Sequence, residues 1–334
     1  MQSVQNADVE PKSKVLVRCD LDVPINEGEI EDTYRLDCLL PTLKLIIEKG
    51  ATPVIVGHMG RPADENSSEL STKQLLPYFN QNLGEGKFEL LENLRFDSRE
   101  TSTDENGRDG YAKGLIEKSG AKIYVNESFA DCHRDHASMT SLPKFLPTYA
   151  GLRLQKEIET LSKILQNPTQ PLVAILGGIK LESKKPLINK FVEIADQVLV
   201  GGRLGIEWNE KVPPNLHLPG DYAQNQKDIG PATAQDYAAI ITTAGTVVWA
   251  GPMGAFEQTE FSAGTKEITQ AVANATTQNQ AFTLVGGGDT ISAINQLGDI
   301  KDYSFVSTGG GAMLKFLAQG TLPGIEALNG PNPH

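Results

Sequence analysis

The chain has little of what marks several large protein classes. Its three cysteines, Cys19, Cys38 and Cys132, form no CxxC pair and no even framework. That excludes a disulfide scaffold and a structural zinc site, and fits a reducing cytosol. No apolar run approaches the roughly 18 residues of a membrane span. The opening Met1-Gln-Ser-Val-Gln-Asn6 has neither the basic start nor the apolar stretch of a signal peptide. A cytoplasmic protein without a membrane partner is therefore expected. Cations are scarce as well, 30 Lys and Arg against 42 Asp and Glu, for a formal charge of −12. Such a chain is not built to bind nucleic acid. Where it binds an anion it must gather its few cations locally, so their placement is informative.

What the chain does have is glycine at strand ends. Ala281-Phe-Thr-Leu-Val285 reads as a buried strand, Gly286-Gly-Gly288 as a turn, and Asp289-Thr290 as the entry to an amphipathic helix over 291–297. A sister unit follows, with strand Tyr303-Ser-Phe-Val306, turn Ser307-Thr-Gly-Gly-Gly311 and helix from Ala312. Strand, glycine turn and helix point bare N–H groups and the positive end of a helix at an anion. Asp289 at the turn's exit is placed to hold a divalent cation beside that anion. One such turn is more often only a tight turn. Two adjacent ones favour a phosphate site.

A length of 334 residues and 39% hydrophobic content allow two domains, each with its own core. The first half alternates strands (15–20, 54–56, 88–91, 121–125) with helical patterns. Leu36, Leu39, Leu40, Leu43, Ile46 and Ile47 recur at helical spacing, and Pro41 either kinks that helix or marks its start. Residues 63–71 read as a polar loop, with Ser71 capping the next helix. Leu154, Ile158, Leu161, Ile164 and Leu165 make one helix face that Pro168 and Pro171 end, a helix linking two domains. Strands at 172–176, 197–200, 246–249, 282–285 and 304–306 continue the alternation. Strands alternating with helices imply an α/β fold of parallel sheets covered on both faces, with ligands at the carboxyl ends of the strands.

The cations cluster at those ends. Arg35, His58, Arg61, Arg95, His133, Arg134 and His136 lie just past strands of the first half, and Lys180 and Lys184 follow Gly177-Gly178. Arginines at one sheet edge suit a small doubly charged anion such as a phosphorylated carboxylic acid. Lys180 and Lys184 are one helical turn apart, so both are expected to face one anion. Strand alternation would put the Asp20 and Asp22 carboxylates on one face, to take a metal or hold arginines.

In register along nearly the whole chain, Val17-Arg-Cys-Asp-Leu-Asp-Val-Pro24, Gly57-His-Met-Gly-Arg-Pro62, Glu92-Asn-Leu-Arg-Phe96, Val125-Asn-Glu-Ser-Phe129, His133-Arg-Asp-His136, Leu176-Gly-Gly-Ile-Lys180, Val248 to Glu257, Gly286 to Thr290 and Ser307 to Ala312 resemble the phosphoglycerate kinase family. The resemblance implies two Rossmann-like, doubly wound domains. The first, 1–152, would bind phosphoglycerate; a hinge helix would span 153–168; the second, 169–317, would bind nucleotide; the tail, about 318–334, would return to the first. It implies a monomer and reversible phosphoryl transfer between 1,3-bisphosphoglycerate and MgADP, giving 3-phosphoglycerate and MgATP. By the same resemblance Arg35, Lys180 and Lys184 are catalytic. Asp20, Asp22, Arg35, His58, Arg61, Arg95 and Arg134 hold the phosphoglycerate. Gly178, Lys184, Gly201, Glu257, Gly286, Gly287, Gly288, Asp289, Thr290, Gly309, Gly310 and Gly311 hold the nucleotide, with Asp289 on Mg²⁺.

The chain also departs from that pattern. Asp22 stands for the usual asparagine, where its carboxylate is expected to face the substrate anion. Asp131 and Asp135 add acid beside Arg134. Ala250 replaces an asparagine, Arg203 the third glycine of a triplet and Lys315 a glutamate. Between Gly202 and Asp228 the chain is short. Two other readings exist: a homologue that binds phosphoglycerate or nucleotide without turnover, and a haloacid-dehalogenase-type phosphatase with Asp20 as nucleophile. The second lacks a late acid pair at the required spacing.

Overall fold

A computed structural model describes residues 1–62 and 67–330. Part of the expected polar loop, 63–66, and the end of the expected returning tail, 331–334, lie outside the described residues. The chain divides into two compact units, Met1–Glu159 with Thr321–His334, and Thr160–Gly320.

The first unit is built on a parallel sheet. Its strands are β1 (Lys14–Arg18), β4 (Thr52–Val56), β5 (Glu89–Leu90), β6 (Ile123–Asn126) and β7 (Thr148–Ala150), and a two-residue hairpin pair, β2 (Ile25–Asn26) and β3 (Glu29–Ile30), stands apart. The order is β5-β4-β1-β6-β7. In β1 and β4 the four residues after the first are buried, as expected of strands covered on both faces. The connecting helices are α1 (Tyr34–Glu48), α2 (Leu76–Leu83) and α3 (Glu105–Ser119). Helix α1 runs straight through Pro41 and buries Leu36, Leu39, Leu43 and Ile46. Ser71 does cap a helix, but a short 3₁₀ turn over Thr72–Leu75 that leads into α2.

Helix α4 (Leu152–Gln166) contains the boundary between the units. The second unit carries β8 (Leu172–Leu176), α5 (Leu181–Ile194), β9 (Gln197–Val200), α6 (Arg203–Glu207), β10 (Leu216–His217), α7 (Pro231–Ile241), β11 (Thr246–Ala250), α8 (Ala263–Thr277), β12 (Phe282–Gly286), α9 (Gly288–Leu297), β13 (Phe305–Ser307) and α10 (Gly310–Gln319). Its parallel sheet has the order β10-β9-β8-β11-β12-β13. Helix α11 (Pro323–Leu328) belongs to the first unit, where the Gly324 N–H donates to the Cys132 carbonyl at 2.8 Å.

Each sheet changes direction once. From β1 the chain winds outward to β4 and β5, then crosses to β6; from β8 it winds to β9 and β10, then crosses to β11. Loops leaving the carboxyl ends at such a point diverge and leave a crevice between them.

Candidate active site

In the first unit the crevice lies past β1 and β6. Arg18, the last residue of β1, is fully buried and uses every nitrogen. Its Nε donates to Ser138 Oγ (2.9 Å), Nη1 to the Cys19 carbonyl, and Nη2 to His58 Nδ1 (3.0 Å) and Asp131 Oδ2 (3.0 Å). An arginine can only donate, so His58 Nδ1 accepts and its proton sits on Nε2. Burial, ahead of the opposing pull of Asp131, lowers the His58 pKa to about 4, so the ring is neutral at pH 7. Asp131 is buried too. Burial opposes its charge, but Arg18, helped by the Ser128 hydrogen bond, outweighs that and holds its pKa well below the usual carboxylate range. Glu100, also buried, accepts from the Ser138 N–H (3.0 Å) and hydroxyl (2.5 Å) and closes the network from below.

Around this frame stand the residues the sequence singles out. Arg35 donates to the Asp22 carbonyl (2.9 Å) and lies 3.5 Å from Asp20 Oδ1. Arg95 donates to the Gly60 carbonyl (2.5 Å). Arg134 lies 3.6 Å from Asp131 Oδ1, and Arg61 is exposed. The Gly57–Pro62 turn needs Gly60, whose φ is +59° and where a Cβ would meet the Leu70 side chain. Asp20 is only 4% exposed, and its Oδ2 has no hydrogen-bond partner among the described residues. Burial raises its pKa to about 6, against the opposing pull of Arg35.

One expectation for Asp20 and Asp22 fails. They do not alternate on a strand, because β1 stops at Arg18. The Asp22 Oδ1 accepts the Gly60 N–H at 2.8 Å. Asp22 ties the β1 loop to the turn that carries His58 and Arg61.

In the second unit the crevice is a cavity of about 740 Å³. Its wall includes Gly178, Lys180, Lys184, Arg203, Glu257 and Asp289. The floor is glycine backbone, and the close approaches follow the strand order. A Cβ on Gly202, after β9, would lie 2.6 Å from the Gly178 carbonyl, after β8. One on Gly177 or Gly251 would strike the other's loop. The Gly251 N–H donates to Thr290 Oγ1 at 2.7 Å. A Cβ on Gly310 would sit 2.5 Å from Gly287 Cα, so the two glycine turns at the starts of α9 and α10 face each other. Gly201 and Gly286 lie against Met253 and Met313 in the same layer. Gly309 caps α10, and Gly288 and Gly311 lie exposed in the first turns of α9 and α10. The first turn of α9 reaches the cavity wall through Asp289, and the start of α10 packs against that turn.

The two lysines are not a helical pair. Lys180 is extended (φ −110°, ψ 105°), exposed, and precedes α5; only Lys184 is on the helix. Gly178 (φ +137°) opens the turn that keeps Lys180 off it. Lys184 is half-buried, and burial lowers its pKa while Asp289 pulls it back up. Asp289 and Lys184 are thus neighbours at the mouth of the α9 turn. Ala250 is buried in β11. Lys315 is exposed on α10. Among the described residues no group of three or more His, Cys, Asp or Glu side chains could hold a metal by itself.

A family model described as phosphoglycerate kinase matches residues 4–85, 79–213 and 210–320. The chain belongs to the phosphoglycerate kinase family. It is 35% identical to a phosphoglycerate kinase of Clostridium botulinum strain 657 over 402 aligned positions, covering 98% of each chain. A phosphoglycerate kinase of Leptospira biflexa is 34% identical over 94% of this chain and 95% of its own. Among solved structures, the phosphoglycerate kinase from Coxiella burnetii superposes with a TM-score of 0.82 at 30% identity, over 98% of both chains. That from Pyrococcus horikoshii OT3 gives 0.81 at 27%, with the same coverage. The 402 aligned positions exceed the 334 residues by 68, so this family member omits segments that its relatives keep. Sequence reasoning missed Arg18, Glu100 and Ser138 as the frame of the cationic cluster. Their partners lie up to 120 residues away, and no spacing reports such pairs.

Proposed function

We propose that this family member catalyses reversible phosphoryl transfer between 1,3-bisphosphoglycerate and MgADP, giving 3-phosphoglycerate and MgATP. The observation that carries this reading is the pairing of two anion sites of different chemistry. One is an arginine cluster with a buried, unpartnered carboxylate oxygen; the other is a glycine-floored cavity reached by the first turn of α9, with the start of α10 packed against that turn.

The phosphoglycerate would lie on the first unit. Arg35, Arg61, Arg95 and Arg134 would take its phosphate and carboxylate, and the His58 Nε2–H and the Asp22 loop would frame it. Asp20 Oδ2 would accept the substrate hydroxyl, which satisfies an oxygen otherwise left bare. The nucleotide phosphates would lie over Gly286–Gly288, Thr290 and Gly309–Gly311, with Gly178, Gly201 and Glu257 bordering the rest. Asp289 fits a magnesium ion, because that ion is commonly held by one or two carboxylates and substrate phosphates, not by an all-protein cage. Bound there, it would neutralise charge on the phosphate chain.

No covalent protein intermediate is needed. Transfer rests on in-line positioning and on positive charge around the equatorial oxygens. Lys184 supplies that charge beside Asp289. Lys180, held at the lip by an extended backbone, is free to follow the moving group, with Arg35 on the other substrate. With one substrate on each unit, turnover requires them to be brought together, and bending about α4 is the expected means.

The test is ADP formation from MgATP and 3-phosphoglycerate, with the bisphosphoglycerate drawn off. ADP that depends on the acid is expected, and Lys180→Ala should lower kcat by at least about 100-fold, the scale of losing one charge-stabilising donor, without altering the melting temperature. Near-normal turnover in that variant would remove Lys180 from its role. A folded protein that binds both substrates and makes no ADP would favour a non-catalytic homologue.

A further inference from the structure

Asp131 is the carboxylate in the arginine cluster that the proposed chemistry does not use. It is 4% exposed and stands among three cationic or polar partners on one side and one on the other. Its Oδ2 accepts from Arg18 Nη2 (3.0 Å) and Ser128 Oγ (2.9 Å) and lies 3.7 Å from His58 Nδ1. Its Oδ1 lies 3.6 Å from Arg134 Nε.

The two arginines differ in freedom. Arg18 is fully buried with every nitrogen engaged, so it cannot turn toward a ligand. The Arg134 side chain is about one-third exposed (35%), and its Nε makes no hydrogen bond among the described residues. At 3.6 Å the contact with Asp131 is an ion pair too long for a hydrogen bond. Arg134 is thus attracted by a protein carboxylate without being satisfied by it.

We propose that Asp131 is a built-in counter-anion that competes with the substrate for Arg134 and so sets the affinity of the site. The proposal rests on the assignment of phosphoglycerate to this cluster. A ligand must draw the guanidinium away from Asp131, and a phosphate dianion does so more effectively than a lone carboxylate. Arg18 anchors the competitor. It fixes Oδ2 and leaves Oδ1 aimed at Arg134, so Asp131 cannot follow the arginine when it leaves. Asp131 is a positioning residue that acts through Arg134 and touches no reacting atom.

The experiment measures KM and kcat for 3-phosphoglycerate, and its Kd by calorimetry, in the wild type, Asp131→Asn, Arg134→Ala and the double variant. Asparagine keeps an acceptor for Arg18 and Ser128 and removes the charge. Asp131→Asn is expected to lower KM and Kd about tenfold with kcat within threefold. In the Arg134→Ala background the same change should move KM less than twofold. An unchanged or raised KM in Asp131→Asn overturns the proposal, as does an equal gain with and without Arg134. A merely structural Asp131 would show a lower melting temperature and kcat, rescued by Asp131→Glu, without the KM gain. If Asp131→Asn does not fold, Asp131→Ser carries the same expectation. If the wild type binds no 3-phosphoglycerate, the substrate assignment fails. Calorimetry with inorganic phosphate then decides the counter-anion role, with tighter, Arg134-dependent binding in Asp131→Asn supporting it and none overturning it.

Discussion

Asp20 holds a buried charge at a cost to the free protein, and replacing it should make the chain more stable and, on the proposed substrate assignment, less active at once. Its pKa rises from 3.8 to about 6, chiefly through burial, with Arg35 opposing. The native state therefore binds a proton more readily than the unfolded chain between those values. The stabilisation of the protonated form is present at low pH and is lost as pH rises through about 6. At pH 7.5 the ionised carboxylate costs about 3 kcal/mol relative to a group indifferent to burial. At pH 4.5 the same relation leaves about 1 kcal/mol. Asp20→Asn removes that cost but leaves Arg35 facing an amide, so a net gain of about 1–3 kcal/mol is expected at pH 7.5. For a unit of this size that is a rise of roughly 3 to 10 °C in the Tm of the first unit. The gain should shrink to about one-third at pH 4.5. The assay is thermal unfolding at both pH values, with KM for 3-phosphoglycerate measured alongside and expected to rise at least about tenfold, the worth of one hydrogen bond to a charged group. A variant less stable than wild type at pH 7.5, or a gain independent of pH, would refute the reasoning.

Two further substitutions probe the paired glycine turns of the second unit, the proposed nucleotide site. Gly310→Ala would drive a methyl to 2.5 Å from Gly287 Cα and part the two glycine turns. It should cost about 1–3 kcal/mol in the second unit and weaken ATP binding by calorimetry far more than a surface Gly→Ala change such as Gly220→Ala, whose Cβ meets nothing. Thr290→Val keeps the shape but removes the acceptor of the Gly251 N–H. The orphaned donor should cost about 1–3 kcal/mol, seen as a lower urea midpoint, whereas Thr290→Ser should stay near wild type.

How much of this was legible in the sequence depended on the range of the signal. Strand, glycine turn and helix are local, and both units of that kind near the C-terminus appear where the pattern puts them, with α9 starting at Gly288 and α10 at Gly310. Cations past strand ends are local too, and they gather at the two crevices. The failures came from assuming that an element runs on. Strand alternation was applied to Asp20 and Asp22 beyond the end of β1, and helical spacing to Lys180 ahead of the start of α5. In both places the backbone leaves regular structure where it meets the site. The network of Arg18, Asp131, Ser138 and Glu100 was illegible for a different reason. It joins residues 38 to 120 positions apart, and only the order β1-β6 in the sheet brings the first two together.

The same topology explains how a member of this family can lose so much chain. The family match comes in three pieces that overlap at 79–85 and at 210–213. The first overlap falls at the end of α2, just before β5; the second falls between α6 and β10. Strands β5 and β10 are outer strands, one at the edge of each sheet, and each has only two residues. The strands that end at the two crevices are longer: β1, β8, β11 and β12 have five residues each and β6 has four. An edge strand is paired on one side only, so shortening it removes few ladder bonds and leaves less unpaired backbone open to other chains. The glycine floor lies across β9, β8, β11, β12 and β13 and borrows nothing from β10. The second overlap follows α6, whose Arg203 and Ile206 line the cavity of the second unit. Ile206 on the cavity wall is 37% exposed and Ile179 is 70% exposed.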